Sequence, residues 1–274
     1  MTCNKYGMGN TKQMQPIENN FVHPGSVVRE IWGKGDTILL IFAGAAGEFA
    51  LNKAVDWLYF TGKLPADPLG RLFSTVAYAR EIIFSSTQDA HKAIDKMNHI
   101  HAAVESARGA KIPPAAYRDV LFMLIHYSIA AYEVLEQKMT MTEKNEVIEV
   151  FSRVGRRMHI EDLPATYSEW LNMHTRHQQQ NLVRSVFTDD LFKQYRKHLG
   201  IVRYFILKEA QKLVMPHHVR QLLQTGKPLI ITPFISLYQA SKRIRLDAVL
   251  KFFLLPPLYK HRIRMLDVQP GASL

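Results

Sequence analysis

Residues 66–109 read ADPLGRLFSTVAYAREIIFSSTQDAHKAIDKMNHIHAAVESARG, two helices with one polar break between them. Asp67-Pro68 opens the first, because aspartate caps free amide groups and proline tolerates the first helical position. This helix runs from Pro68 to about Phe84, and Ser85-Ser86-Thr87 breaks it. The second runs from about Gln88 to Arg108 and stops at Gly109, with Pro113-Pro114 beyond. Within the second helix, His101 shares a face with Ile94, Met97 and Val104, at helical spacing.

The flanking sequence continues in the same style. On the N-terminal side a helix enters from Pro24 to Trp32, and Gly33 and Gly35 punctuate it. Asp36 is then placed to cap a helix running through ILLIFAGAAGEFALNKAVDWLYF, residues 38–60. Its small residues, Ala43 to Gly47, allow close approach by another helix or a planar ligand. Gly62 to Asp67 reads as a loop. On the C-terminal side helices are expected at about 115–138, 142–158, 166–185, 188–213, 216–224 and 233–254. Thr142, Glu143 and Glu146 put acids in a first turn, where the helix dipole favours them. Only LIITPFI, around 229–235, could pass for a strand. The expected fold is an all-α, single-domain multi-helix bundle over 21–264, with a flexible tail at 1–20 and another tail at 265–274.

Composition is that of a globular chain: 274 residues, 47% apolar and 22% charged, which excludes disorder as the main state. A single cysteine, Cys3, cannot form an internal disulfide. The first 20 residues are polar and lack the apolar region of a secretory signal. The apolar run from Thr37 to Leu51 contains Glu48 and falls short of the roughly 20 residues a bilayer span needs. These features predict a cytoplasmic protein.

The net charge of +11 is concentrated: residues 193–264 hold 15 Lys and Arg against Glu209 and Asp247 alone. These cations alternate with apolar runs, as on amphipathic helices with a solvated basic face. Contact with an anionic membrane surface is the second use of such a pattern. Nucleic acid is not an expected partner, since the segment has neither aromatic RNA-binding signatures nor a cysteine finger. Oligomeric state is not legible.

Several chemistries are excluded by absent motifs, including phosphate-cradling glycine loops and a GxSxG nucleophile elbow. Histidines are abundant, at 12. His126 lies in VLFMLIHYSIAAYEVL among Phe122, Met123 and Ile129; like His101, it reads either as a hydrogen-bonded core histidine or as a ligand. His217-His218 and His174-x-x-His177 lack the cysteines or acids of a zinc site and read as solvent-facing. Arg71 and Thr75 lie one turn apart, with Tyr78 and Ile82 continuing the face. Arg71 either pairs with Asp67 at the helix start or points with Thr75 into an apolar pocket. Glu48 either reaches solvent or Lys53, or is a buried acid–base group.

Residues 66–109, followed by LIHYSIAAYEVL, LPATYSEWLNMH and LVMPHHVRQLL, resemble the latex-clearing-protein and MpaB-type oxygenase family over roughly residues 26–224. The resemblance implies a globin-like helical core around a b-type haem, whose iron reacts with O₂ and a hydrophobic, often isoprenoid-derived substrate. By the same resemblance His101 matches the proximal iron ligand, and Arg71 and Thr75 match distal-side residues. Glu48 falls where relatives carry a polar residue, as candidate base or proton donor. His126 is held in reserve as an alternative ligand or distal donor. Some members carry a lysine just before the threonine, where this chain has Ser74, which favours an open or water-occupied sixth iron position. Relatives often show His-Pro where this chain has Leu51-Asn52. The leading function is thus a haem-dependent oxygenase. Two others compete: a haem carrier or sensor without turnover, and a basic membrane-surface protein holding lipid.

Overall fold

The computed structural model describes residues 19–62 and 66–226. Ten helices span them: α1 (Val27–Gly33), α2 (Gly35–Phe49), α3 (Val55–Phe60), α4 (Pro68–Phe84), α5 (Thr87–Arg108), α6 (Pro114–Leu135), α7 (Met141–Arg157), α8 (Tyr167–Asn181), α9 (Val186–Val214) and α10 (His217–Leu222). Among the described residues no strand forms, only two isolated bridges, Asn20 with Ser86 and Asn52 with Leu182. The all-α expectation holds. The expected helix at 233–254, the strand-like 229–235 and the 265–274 tail lie outside the described residues, as do residues 1–18 of the N-terminal tail. Among the described residues, no helix is long and apolar enough to cross a membrane.

α2 is the centre of the molecule. Its sequence GDTILLIFAGAAGEF is buried almost throughout, and it packs most extensively on α6 and α9. The small residues make this possible. A Cβ on Gly44 would sit 2.2 Å from Tyr127 Cε1 and 2.8 Å from Val214 Cγ2, so only glycine lets the helices approach this closely. The main core gathers Ile31, Trp32, Ile41, Phe122, Ile125, Ile148 and Trp170. A second cluster, with Ala46, Ala50, Val55, Leu191, Tyr195 and Leu199, joins α2 and α3 to α9.

Local signals placed α4 and α5 well. Asp67 caps α4 by accepting from the Gly70 amide at 2.8 Å, Ser86 caps α5, and Gly109 closes it. Two expectations need correction. Asp36 is not the cap of α2: the helix starts at Gly35, so Asp36 already lies in its first turn. Nor does that helix run through to Phe60. It stops at Phe49, and the Asn52 side chain, accepting from the Ala54 amide at 2.8 Å, turns the chain into α3. α7 starts within a residue of the expected position, with Glu143 in its first turn as expected and Thr140 forming a reciprocal capping box with it.

α9 is two helical stretches that meet at a kink. Gly200 has φ 75° and ψ 171°, far from helical values and in a region that side chains disfavour. The expected helix at 188–213 carried no sign of this break.

Candidate functional site

α4 and α5 pack side by side, and Arg71 on α4 is near enough to His101 on α5 for its charge to act on the imidazole. Arg71 and Thr75 project from α4 and His101 from α5, all half-buried. Arg71 does not pair with Asp67, whose carboxylate is engaged at the helix cap. Among the described residues its guanidinium makes no hydrogen bond or ion pair, and burial lowers its pKa. The Thr75 hydroxyl donates to the Arg71 carbonyl at 3.3 Å, and Ser74 donates to the same oxygen at 2.7 Å.

His101 packs edge-on against Tyr117, with ring centroids 5.1 Å apart. Its Nδ1 is buried with no hydrogen-bond partner. Burial, and then the nearby Arg71 charge, hold its pKa below the ordinary histidine value. The ring is therefore neutral at physiological pH. It is not the hydrogen-bonded core histidine offered as the alternative. A buried imidazole nitrogen without a partner, as at His101 Nδ1, is costly to keep unless something completes it.

Glu48 and His126 belong elsewhere. Glu48, only 5% exposed, neither reaches solvent nor pairs with Lys53, which instead donates to the Gln180 carbonyl. Its Oε2 accepts from the Tyr127 hydroxyl at 2.8 Å and the Gln178 amide at 3.2 Å; His174 Nε2 lies 3.5 Å from Oε1. Burial pushes the Glu48 pKa up, but the contacts with His174, His126 and Tyr127 outweigh it and bring it below the ordinary carboxylate value. Burial, helped by His174, drives His126 down to about 4, and its Nε2 lies 3.0 Å from the Val214 carbonyl. His126 is thus a hydrogen-bonded core histidine. Trp170 stacks on His174 at 4.8 Å and lines one side of the cluster.

His174 and His177 do not face solvent as expected. His174 is 4% exposed, while His177 Nδ1 sits 2.6 Å from Asp119 Oδ1. Asp119 also accepts from Asn52 and Asn181, tying the α2–α3 turn to α6 and α8. Sequence reading missed Tyr127, His174 and Gln178. The available signal was the four-residue spacing of Trp170, His174 and Gln178 on α8, one buried tryptophan marking the face. Among the described residues, no hydrogen bond, ion pair or ring contact links the Glu48 cluster to Arg71, Thr75 or His101, and no group of three or more His, Cys, Asp or Glu could chelate a metal.

Comparison with curated proteins and with solved structures gives no match. A family model described as ER-bound oxygenase mpaB/B'/rubber oxygenase, catalytic domain, matches residues 31–237, which include both clusters. The chain belongs to this oxygenase catalytic-domain family.

Proposed function

We propose that this protein is a haem b-dependent oxygenase of a hydrophobic, unsaturated, isoprenoid-like substrate, with His101 binding the iron and Arg71 and Thr75 on the distal side. The family match supports oxygenase chemistry. The observation that carries the cofactor assignment is the buried His101 Nδ1 with no hydrogen-bond partner, within reach of the Arg71 charge. Haem iron takes a neutral imidazole from the protein as ligand, and His101 would supply it. The donor set therefore fits haem, whereas a protein-only metal site would need more ligands than this face offers. When bound, haem supplies the redox chemistry with O₂.

The remaining roles fall to the chain itself. His101 needs no deprotonation before binding a metal, because burial already keeps it neutral. Arg71 holds a fixed positive charge where no carboxylate neutralises it, ready for an anionic oxygen or carboxylate. The Thr75 hydroxyl has only a long bond to its own helix and can turn to a ligand without leaving a strong partner. Glu48, held as a carboxylate by Tyr127, Gln178 and His174, stands apart from this face, and its lowered pKa makes it a weak base.

O₂ uptake by the haem-loaded protein tests the proposal. Consumption that depends on an added unsaturated apolar substrate, such as a polyisoprene oligomer, is the expected result. A stable haem complex with no uptake across such substrates makes the protein a carrier or sensor.

A further inference from the structure

α9 presents an unusual surface around its kink at Gly200. Immediately beyond the kink, Ile201 and Val202 are each 71% exposed and Phe205 is 47% exposed. Three large apolar side chains so close together are more than the scattered exposure any soluble protein shows. The surrounding charge has one sign. Between Leu191 and Lys208 the sequence holds Lys193, Arg196, Lys197, Arg203 and Lys208, and no acid. Lys193, Arg196 and Lys197 are exposed on the turns just before the kink.

We propose that this kinked surface of α9 docks on an anionic lipid surface. Ile201, Val202 and Phe205 enter the boundary between headgroups and acyl chains, and Lys193, Arg196 and Lys197 take headgroup phosphates. Apolar side chains for insertion, ringed by cations for anionic headgroups, are the two requirements of an interfacial helix. Charge complementarity selects this occupant over the others. A second copy of the chain would bring the same cations against themselves. Nucleic acid would take the cations but leave two aliphatic side chains facing phosphates, with nothing gained by their burial. The proposal stands whether or not the protein binds haem.

Co-sedimentation of the full chain with vesicles tests it, comparing phosphatidylserine–phosphatidylcholine mixtures with pure phosphatidylcholine. Binding is expected only to the anionic vesicles, and it weakens as salt rises from about 0.1 to 0.5 M. Because residues 227–264 also carry cations, two variants decide the location. I201S/V202S/F205S is expected to bind about tenfold more weakly or worse. K193Q/R196Q/K197Q is expected to lose roughly a hundredfold, at about fivefold per cation. All six side chains are exposed, so circular dichroism and thermal melting of the variants are expected to match the parent. Unchanged vesicle binding by both variants, or no preference of the parent for anionic vesicles, overturns the proposal. So does a parent whose oligomeric mass in light scattering falls with I201S/V202S/F205S, which makes the surface a contact between copies.

Discussion

The Tyr127 hydroxyl donates a 2.8 Å hydrogen bond to Glu48 Oε2 inside the helical core, and Tyr127 reaches that oxygen only because the facing residue on α2 is Gly44. A buried carboxylate and the close approach of two helices are therefore one structural feature. Tyr127→Phe keeps the ring and removes one of the donors that stabilise the charge. It is expected to cost about 1.5–3 kcal/mol, the range for hydrogen bonds to charged groups, read as a lower urea midpoint at unchanged slope. A midpoint like the parent's would mean that Glu48 does not depend on Tyr127.

Gly44→Ala tests the same contact from the other side. In a helix interior this change normally gains up to about 1 kcal/mol. Here the new methyl would meet Tyr127 at 2.2 Å and Val214 at 2.8 Å. Overpacking of this kind costs about 1–3 kcal/mol, so the sign reverses and the melting temperature falls. A stabilised Gly44→Ala protein would contradict the packing.

Acid should weaken the fold through His126. Its folded pKa is about 4, well below that of an unfolded histidine at about 6.5. Above pH ~6.5 the ring is neutral in both states and the folded form has its full advantage. Between about 6.5 and 4 the unfolded chain takes a proton that the folded chain refuses, so stability falls with pH by about 3 kcal/mol. Glu48 and His101, both lowered, act in the same direction, the first below the ordinary carboxylate range. Urea midpoints across this window are expected to drop in the parent and to drop less in His126→Gln. Equal slopes for the two proteins would remove His126 as the cause.

Much of the frame was legible in the sequence because its signals are local. Asp67-Pro68, Ser86 and Gly109 fix their helix ends by bonds within a few residues. Where tertiary contacts decide, the reading failed. The helix through 38–60 breaks because Asn52 is held by both the Ala54 amide and Asp119, the latter 67 residues away in the chain. His174 and His177 looked solvated because their neighbours in sequence are polar. Their partners, Glu48 and Asp119, come from other helices. Arg71 and His101 come near each other because two helices adjacent in the chain are also adjacent in space. Glu48 was grouped with them, yet its bonds lie with α6 and α8.

The distal assignment predicts a separation of effects. Arg71 has no ion-pair partner, so Arg71→Ala leaves stability and haem content close to the parent's, and Thr75→Ala does the same. Each is expected to lower turnover by about 10²-fold or more, the usual cost of a lost preorganised donor. Steady-state O₂ uptake at matched haem content is the check. Full turnover by Thr75→Ala would leave that residue as scaffold.

Haem titration into the purified apoprotein tests the central claim most directly, with absorption spectra taken for the parent, His101→Ala and His126→Ala. A Soret band that saturates near one haem per chain is expected for the parent and for His126→Ala, whose ring is committed to the Val214 carbonyl. His101→Ala is expected to lose the band or most of it. The same saturable spectrum in His101→Ala as in the parent, or no Soret complex in the parent, would contradict the account.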